Sequence, residues 1–311
     1  MYIDQLRSDI KEIKPNIKDN SLNLYLRNIK LLHKRITGEE EVKDLNFLDK
    51  FEKVIDSLDK YTVPTQRNYI SSIISVLQTT DKDILPLYIE YYKELSEQYQ
   101  KTIDTQKKTQ KQKENWVTMD DLKIIKNKYK KEVQEIIKLS NPSNKQIDTI
   151  QRYLVCVLYI GSKNNPPLRL DYAPMFVKYI SEYEKDNKNN LLVIKPNTMF
   201  FHIGKYKNVR SYGTKIIPVS PPLKKIIDIY LKYNTTGFLL VNANKSPMNA
   251  NGLTKYLNKV FGDTDKKISA TMLRHIFLSE YYPADKKNRE KTANKMCHSV
   301  GTAIDYSKFQ D

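Results

Sequence analysis

An arginine and a histidine lie side by side in an otherwise apolar stretch of this 311-residue chain. The stretch is SATMLRHIFLSEYY, residues 269–282, and the pair is Arg274 and His275. A helix here would bury the apolar neighbours of the pair, which are Met272, Leu273, Ile276 and Phe277. A guanidinium keeps its charge in such surroundings and therefore needs an anion close by. That anion could be a buried Asp or Glu, or an oxyanion bound from outside.

Further residues that could take part in catalysis follow a particular order along the chain. Arg169 comes just after the most apolar run, QRYLVCVLYIGS, and Lys207 lies between two predicted strands. His298 ends a predicted helix, and Tyr306 follows it by eight residues in GTAIDYSKF. Cationic side chains bind oxyanions, histidine transfers protons, and a phenol can act as a nucleophile.

Each of these residues also has a structural interpretation. Arg169 could pair with Asp171, and His275 could be a hydrogen-bonded core histidine. His298 could cap the C-terminus of its helix. Tyr306 is one of 22 tyrosines, and Tyr281 and Tyr282 lie nearer to Arg274 in the sequence, although their helix position predicts a packing role.

The balance of charge indicates the class of partner. Lys and Arg number 53 against 36 Asp and Glu, which gives a formal net charge of +17. This excess favours a polyanionic partner, most often nucleic acid and less often an anionic membrane. A generally lysine-rich surface is the competing interpretation.

Several classes of protein are disfavoured. Cys156 and Cys297 are far apart and form no C-x-x-C pair, so neither a zinc site nor a disulfide framework is predicted. The four histidines are scattered, and no metal or cofactor is expected. No stretch reaches the ~18 apolar residues of a membrane span, and the charged start MYIDQLRSDIKEIK is unlike a signal peptide. An intracellular protein is expected.

The first hundred residues predict a small helical bundle. Apolar residues recur at helical spacing in four segments, 21–36, 45–61, 65–80 and 87–99. Residues 101–114, KTIDTQKKTQKQKE, then change to a basic linker or a frayed helix end. Its central lysines are either solvated or lie along a phosphate backbone, and they are Lys107, Lys108, Lys111 and Lys113.

A second domain is predicted over 115–311. It opens with a helix for which Thr118 is the expected N-cap. Alternating residues at 190–195, 198–204 and 214–220 predict three short strands between helices. The expected fold is therefore mainly α with a small antiparallel β-sheet, in a bundle (1–100), a linker (101–114) and a larger domain (115–311).

Three sequence blocks, in this order, resemble those of the tyrosine recombinase (phage integrase) family. PPLRLDYAPM is similar to the first arginine block, TMLRHIF to the second, and ANKMCHSVGTAIDY to the third, which ends in a tyrosine. The hairpin YKNVRSYGTKIIPV is similar to the region of the family's mobile lysine. The resemblance covers about residues 150–311, and the helical N-terminal part suits the family's SAM-like core-binding domain.

The resemblance implies a site-specific DNA recombinase or integrase, of a virus or mobile element, that acts by phosphodiester transesterification. Arg169 and Arg274 would hold the non-bridging oxygens of the scissile phosphate in forked geometry. His298 would donate a proton or hydrogen bond beside them, with His275 and Thr271 in supporting positions. Thr271 stands where the second block usually has His or Lys, and its hydroxyl can hydrogen-bond a phosphate without adding charge.

The remaining two roles concern the leaving group and the nucleophile. Lys207 would protonate the leaving 5′ oxygen, with Lys205 and Lys215 as alternatives in the same region. Tyr306 would attack the phosphorus. The covalent phosphotyrosine keeps the bond energy, so neither ATP nor a metal is implied.

The implied partner is double-stranded DNA, clamped between the two domains and the basic linker, with a homotetramer acting on two DNA sites. Two other functions remain open. One is a type IB topoisomerase, which shares the cations and the nucleophile but acts as a monomer. The other is a DNA-binding relative that has lost catalysis, which Thr271 and the spacing between His298 and Tyr306, one residue shorter than usual, would favour.

Overall fold

The backbone forms two compact helical units, each with its own hydrophobic core. The computed structural model describes residues 2–281 and 295–297. The first unit ends at Thr105, and the second begins at Gln106. The fold is mainly α with one small sheet. His298 and Tyr306 lie outside the described residues.

The first unit is a helical bundle whose apolar faces point inward. Its helices are α1 (Tyr2–Ile13), α2 (Asp19–Thr37), α3 (Phe51–Asp56), α4 (Val63–Leu77) and α5 (Leu85–Asp104). In α2 the predicted face is confirmed, since Leu22, Leu26, Ile29 and Leu32 are all buried. Helix α1 was not among the helices expected from the sequence; its Leu6 and Ile10 are buried in the same core.

The predicted second helix, 45–61, is interrupted. The chain forms a 3₁₀ turn over Asn46–Asp49 and resumes as α3 after Lys50. The hydroxyl of Tyr88 donates a 2.8 Å hydrogen bond to the carbonyl oxygen of Leu48. This hydrogen bond ties the turn to α5, a contact that apolar periodicity does not reveal.

The second unit is built around a buried central helix. Its helices are α6 (Gln110–Asn115), α7 (Met119–Ile136), α8 (Asn144–Ile160), α9 (Val209–Tyr212), α10 (Pro221–Leu231), α11 (Ala250–Val260) and α12 (Ala270–Tyr281). Helices α7, α10, α11 and α12 all contact α8. Thr118 caps α7 as predicted, because its hydroxyl accepts the N–H of Asp121 at 3.1 Å.

The sheet is mixed, which corrects the expectation of an antiparallel one. The three predicted strands are present as β2 (Asn190–Ile194), β3 (Met199–Ile203) and β4 (Lys215–Pro218), and they pair antiparallel. An unpredicted strand, β1 (Phe176–Tyr179), pairs in parallel with β2. It has four residues and no clear alternation of burial, so it left little signal in the sequence.

The segment predicted as a basic linker is largely helical. Residues 101–104 continue α5, and Gln110–Asn115 form α6. Thr109 caps α6 in a reciprocal capping box with Gln112. Helix α6 belongs to the second unit, where Asn115 accepts a 2.8 Å hydrogen bond from the backbone N–H of Lys267.

Candidate functional site

Helix α12 holds Arg274 in the core of the second unit. Ser269 caps the helix by accepting the N–H of Met272 at 3.1 Å. The predicted buried residues are confirmed, and Arg274 is 0% exposed. A charge so placed is costly unless anionic or polar groups face it.

Arg169 lies in the turn that follows α8, and both its backbone and its guanidinium group form hydrogen bonds. Its carbonyl oxygen accepts the hydroxyl of Tyr159 at 2.6 Å. Its Nη1 donates to the carbonyl oxygen of Cys297 at 3.1 Å. Arg169 therefore contacts the backbone immediately before His298, although 128 positions separate it from Cys297.

Both arginines act on one carboxylate, that of Asp171. Burial raises the pKa of Asp171 above its ordinary value, while the charges of Arg169 and Arg274 oppose that shift. Within the described residues, Oδ2 of Asp171 has no hydrogen-bond partner. The charges of both guanidinium groups thus act on the same buried carboxylate in the second unit.

Cys297 lies close enough to Asp171 and both arginines for their charges to act on its thiol. Burial raises the pKa of its thiol to about 12, with Asp171 adding to the shift and the cations Lys215, Arg274 and Arg169 opposing it. Its φ of 56° is in the left-handed region that favours glycine.

A cleft of about 610 Å³ opens beside these groups. Its walls include Arg169, Lys207 and Thr271, three of the residues singled out from the sequence, together with Asp171 and Lys205. Thr271 is exposed, one helical turn before the buried Arg274. Among the described residues that line the cleft, three cations accompany one carboxylate, a balance that favours an anionic ligand.

The three candidate lysines of the hairpin region differ in position relative to the cleft. Lys205 and Lys207 are exposed and line the cleft. Lys215, on β4, acts electrostatically on Cys297. The loop between them is closed by a 2.8 Å hydrogen bond from the hydroxyl of Tyr206 to the carbonyl oxygen of Gly213.

Asn190, a residue that the sequence did not single out, joins two walls of the cleft. Its Nδ2 donates to the carbonyl oxygens of Asp171 and Lys205, both at 2.9 Å. Its Oδ1 accepts the N–H of Lys205 at 2.8 Å. In the sequence, the only indication of this role was an amide side chain at the start of a buried strand.

Asn190→Ala is expected to destabilise the protein by about 1–3 kcal/mol, because it leaves buried backbone groups without partners. Chemical unfolding would measure the change. The matched control is Asn189→Ala, whose exposed side chain makes no hydrogen bond in the described part of the chain and should cost less than about 0.5 kcal/mol. Equal effects of the two substitutions would contradict a positioning role for Asn190.

His275 and the basic segment are joined directly. His275 is 8% exposed, and its Nε2 lies 3.1 Å from Nε2 of Gln112 in α6. Among the four lysines predicted to contact DNA, Lys107, Lys111 and Lys113 are exposed. The Nζ of Lys108 lies 4.8 Å from the ring centroid of Trp116.

Two negative findings apply to the described ranges, 2–281 and 295–297. No group of three or more His, Cys, Asp or Glu side chains there could hold a metal ion. No helix there is long and apolar enough to cross a membrane.

Comparisons with known proteins find likeness in structure but none in sequence. No protein-family model matches the chain, and no curated protein matches it in sequence. The backbone is similar to a structure described as the crystal structure of XerA recombinase, with a TM-score of 0.40 and 11% sequence identity. The match covers 99% of this chain and 94% of that one. A likeness at this level does not by itself establish a shared function.

Proposed function

We propose that this protein is a tyrosine recombinase that cleaves and rejoins DNA strands through a covalent phosphotyrosine. The observation that carries the proposal is the convergence of Arg169 and Arg274 on Asp171, beside a cationic cleft. Preorganised positive charge at a reacting phosphate is usually the largest catalytic contribution. The order of the three sequence blocks supports the same assignment.

In the proposed reaction, the phenol oxygen of Tyr306 attacks the phosphorus of a DNA phosphodiester. The new P–O bond joins the phosphate to the tyrosine, and the bond to the 5′ oxygen breaks. Arg169, Arg274 and His298 stabilise the charge on the non-bridging oxygens, with Thr271 and His275 in support. Lys207 protonates the departing 5′ oxygen, and the phenol proton passes to a base or to solvent.

The proposed partner is double-stranded DNA, which a net charge of +17 suits. Lys107, Lys108, Lys111 and Lys113 of the basic segment would contact its phosphates. Recombination of two sites would require a homotetramer. Binding should therefore weaken steeply as salt concentration rises.

A nicked suicide substrate tests the proposal. After cleavage, the short strand beyond the nick diffuses away, so a covalent protein–DNA adduct accumulates and survives denaturant. Substrates should include random-sequence duplexes and supercoiled plasmid. An adduct supports the proposal, whereas DNA binding with no adduct on any substrate favours a DNA-binding protein without catalysis. Relaxation of plasmid by the monomer would indicate a topoisomerase of type IB.

Lys207→Ala is expected to slow cleavage by about 10²-fold or more, because the leaving oxygen loses its proton donor. A substrate with sulfur at the bridging 5′ position should restore the rate, since a thiolate leaves without protonation. Lys205→Ala and Lys215→Ala are the matched controls. If the sulfur substrate rescues one of these variants and not Lys207→Ala, that lysine is the proton donor.

A further inference from the structure

One hydrogen bond joins the basic helix α6 to the helix that carries Arg274. Nε2 of Gln112 and Nε2 of His275 lie 3.1 Å apart, although 163 positions separate the residues. Gln112 is half-buried, whereas its neighbours Lys111 and Lys113 are exposed. The contact therefore lies on the inner side of α6.

The helix cap determines which way the Gln112 amide points. The backbone N–H of Thr109, which can only donate, lies 2.8 Å from Oε1 of Gln112. The backbone N–H of Gln112 in turn donates to the hydroxyl of Thr109 at 3.2 Å. With Oε1 engaged as an acceptor, the atom facing His275 is the amide nitrogen, which can only donate.

The protonation of the imidazole follows from this donor. Because the Gln112 amide donates to Nε2 of His275, that ring nitrogen must carry a lone pair. A neutral imidazole has one N–H, and it must then be on Nδ1. We propose that Gln112 is a positioning residue that holds His275 as the neutral, Nδ1-protonated tautomer.

The same contact makes α6 a link between DNA binding and the reaction site. Helix α6 is anchored to the region of α12 at two points, through Gln112 to His275 and through Asn115 to the backbone of Lys267. Lys111 and Lys113 flank Gln112 on the exposed side. A phosphate backbone bound there fixes the helix that orients the imidazole. This coupling rests on the proposed function, whereas the tautomer does not.

The substitution Gln112→Glu keeps the helix cap but removes the hydrogen-bond donor to His275. Glutamate is a usual capping-box residue, so its carboxylate can still accept the N–H of Thr109. An ionised carboxylate only accepts, so the proton of His275 must move to Nε2, or a second proton must be added there. The variant therefore tests the tautomer while the helix cap is retained.

Proton–nitrogen correlation spectra of the isotope-labelled full-length protein report the tautomer directly. With four histidines in the chain, His275→Gln assigns the ring by the signals that it removes. The wild-type ring should show an N–H type signal at Nδ1 and a lone-pair type signal at Nε2. In Gln112→Glu, the Nε2 signal should become the N–H type.

The matched control is Gln110→Glu, which adds the same charge on an exposed position of α6 and should leave the His275 signals unchanged. Wild-type His275 with its proton on Nε2 would overturn the inference, whatever the variants do. An unchanged ring in a folded Gln112→Glu would also overturn it. If Gln112→Glu unfolds, Gln112→Met, which has no donor or acceptor at that position, should yield a mixture of tautomers.

Cleavage measurements then test the link to the reaction. At saturating DNA, Gln112→Glu should slow single-turnover cleavage at least about tenfold relative to Gln110→Glu, which adds the same charge, since a wrongly protonated imidazole at a reaction site costs up to about 10⁴-fold. A switched tautomer with normal cleavage would retain the inference about Gln112 and remove His275 from the proposed mechanism. Absence of cleavage in the wild-type protein would reject the proposed function and leave the spectroscopic result standing.

Discussion

Arg274→Lys is expected to slow DNA strand cleavage by about 10²–10³-fold, the usual cost of one lost donor to a transition-state oxyanion. Lysine keeps the charge but replaces a planar fork with a single ammonium group, which cannot hold two phosphate oxygens in the same geometry. Arg274 is 0% exposed, so its position is set by packing and a mobile substitute is poorly aimed. Single-turnover cleavage of the suicide substrate measures the loss.

The control for Arg274→Lys is Arg152→Lys in the same unit. Arg152 forms a 2.9 Å ion pair with Asp148 on α8, and it is not part of the cleft. Both variants keep the net charge, so both should bind DNA with nearly wild-type affinity. If Arg274→Lys remains folded and cleaves at the wild-type rate, as Arg152→Lys should, Arg274 is a structural cation and the proposed mechanism fails.

Tyr306→Phe is expected to eliminate the covalent adduct completely, because the ring remains but the attacking oxygen is gone. Denaturing electrophoresis of the protein after incubation with labelled suicide substrate measures this. DNA binding should persist, since one hydroxyl contributes little beside the many phosphate contacts expected of a chain with a net charge of +17.

The control for Tyr306→Phe is Tyr281→Phe at the end of α12. The ring of Tyr281 packs 4.8 Å from that of Phe277, measured between centroids, which is consistent with the packing role predicted from the sequence. Tyr281→Phe should retain the adduct. An adduct that survives Tyr306→Phe would place the nucleophile on another of the 22 tyrosines.

Much of the helical fold was predictable because helices are encoded locally. Apolar residues at a 3.6-residue spacing located α2, α4, α5 and α12, and a threonine at the helix start marked the beginning of α7. The three strands β2, β3 and β4 followed from alternation. The break before α3 left no mark in the apolar periodicity, and the parallel strand β1 was missed because it has only four residues and no clear alternation of burial.

The residue types of the candidate site were also visible in the chain, in Arg169, Lys207, Arg274 and Thr271, and the structure brings them to one region. The sequence offered Asp171 as a partner of Arg169, but no local pattern showed that the charge of Arg274 acts on the same carboxylate.

Local sequence thus predicted most of the longer helices and their buried faces, since periodicity places residues on a face without reference to the rest of the molecule, although α1 was not predicted. Tertiary structure alone decided which polar atoms far apart in the chain meet. Arg169 reaches Cys297 across 128 positions, and Gln112 reaches His275 across 163. Hydrogen bonds of this kind depend on angles and on distances near 3 Å that only the packed core can set.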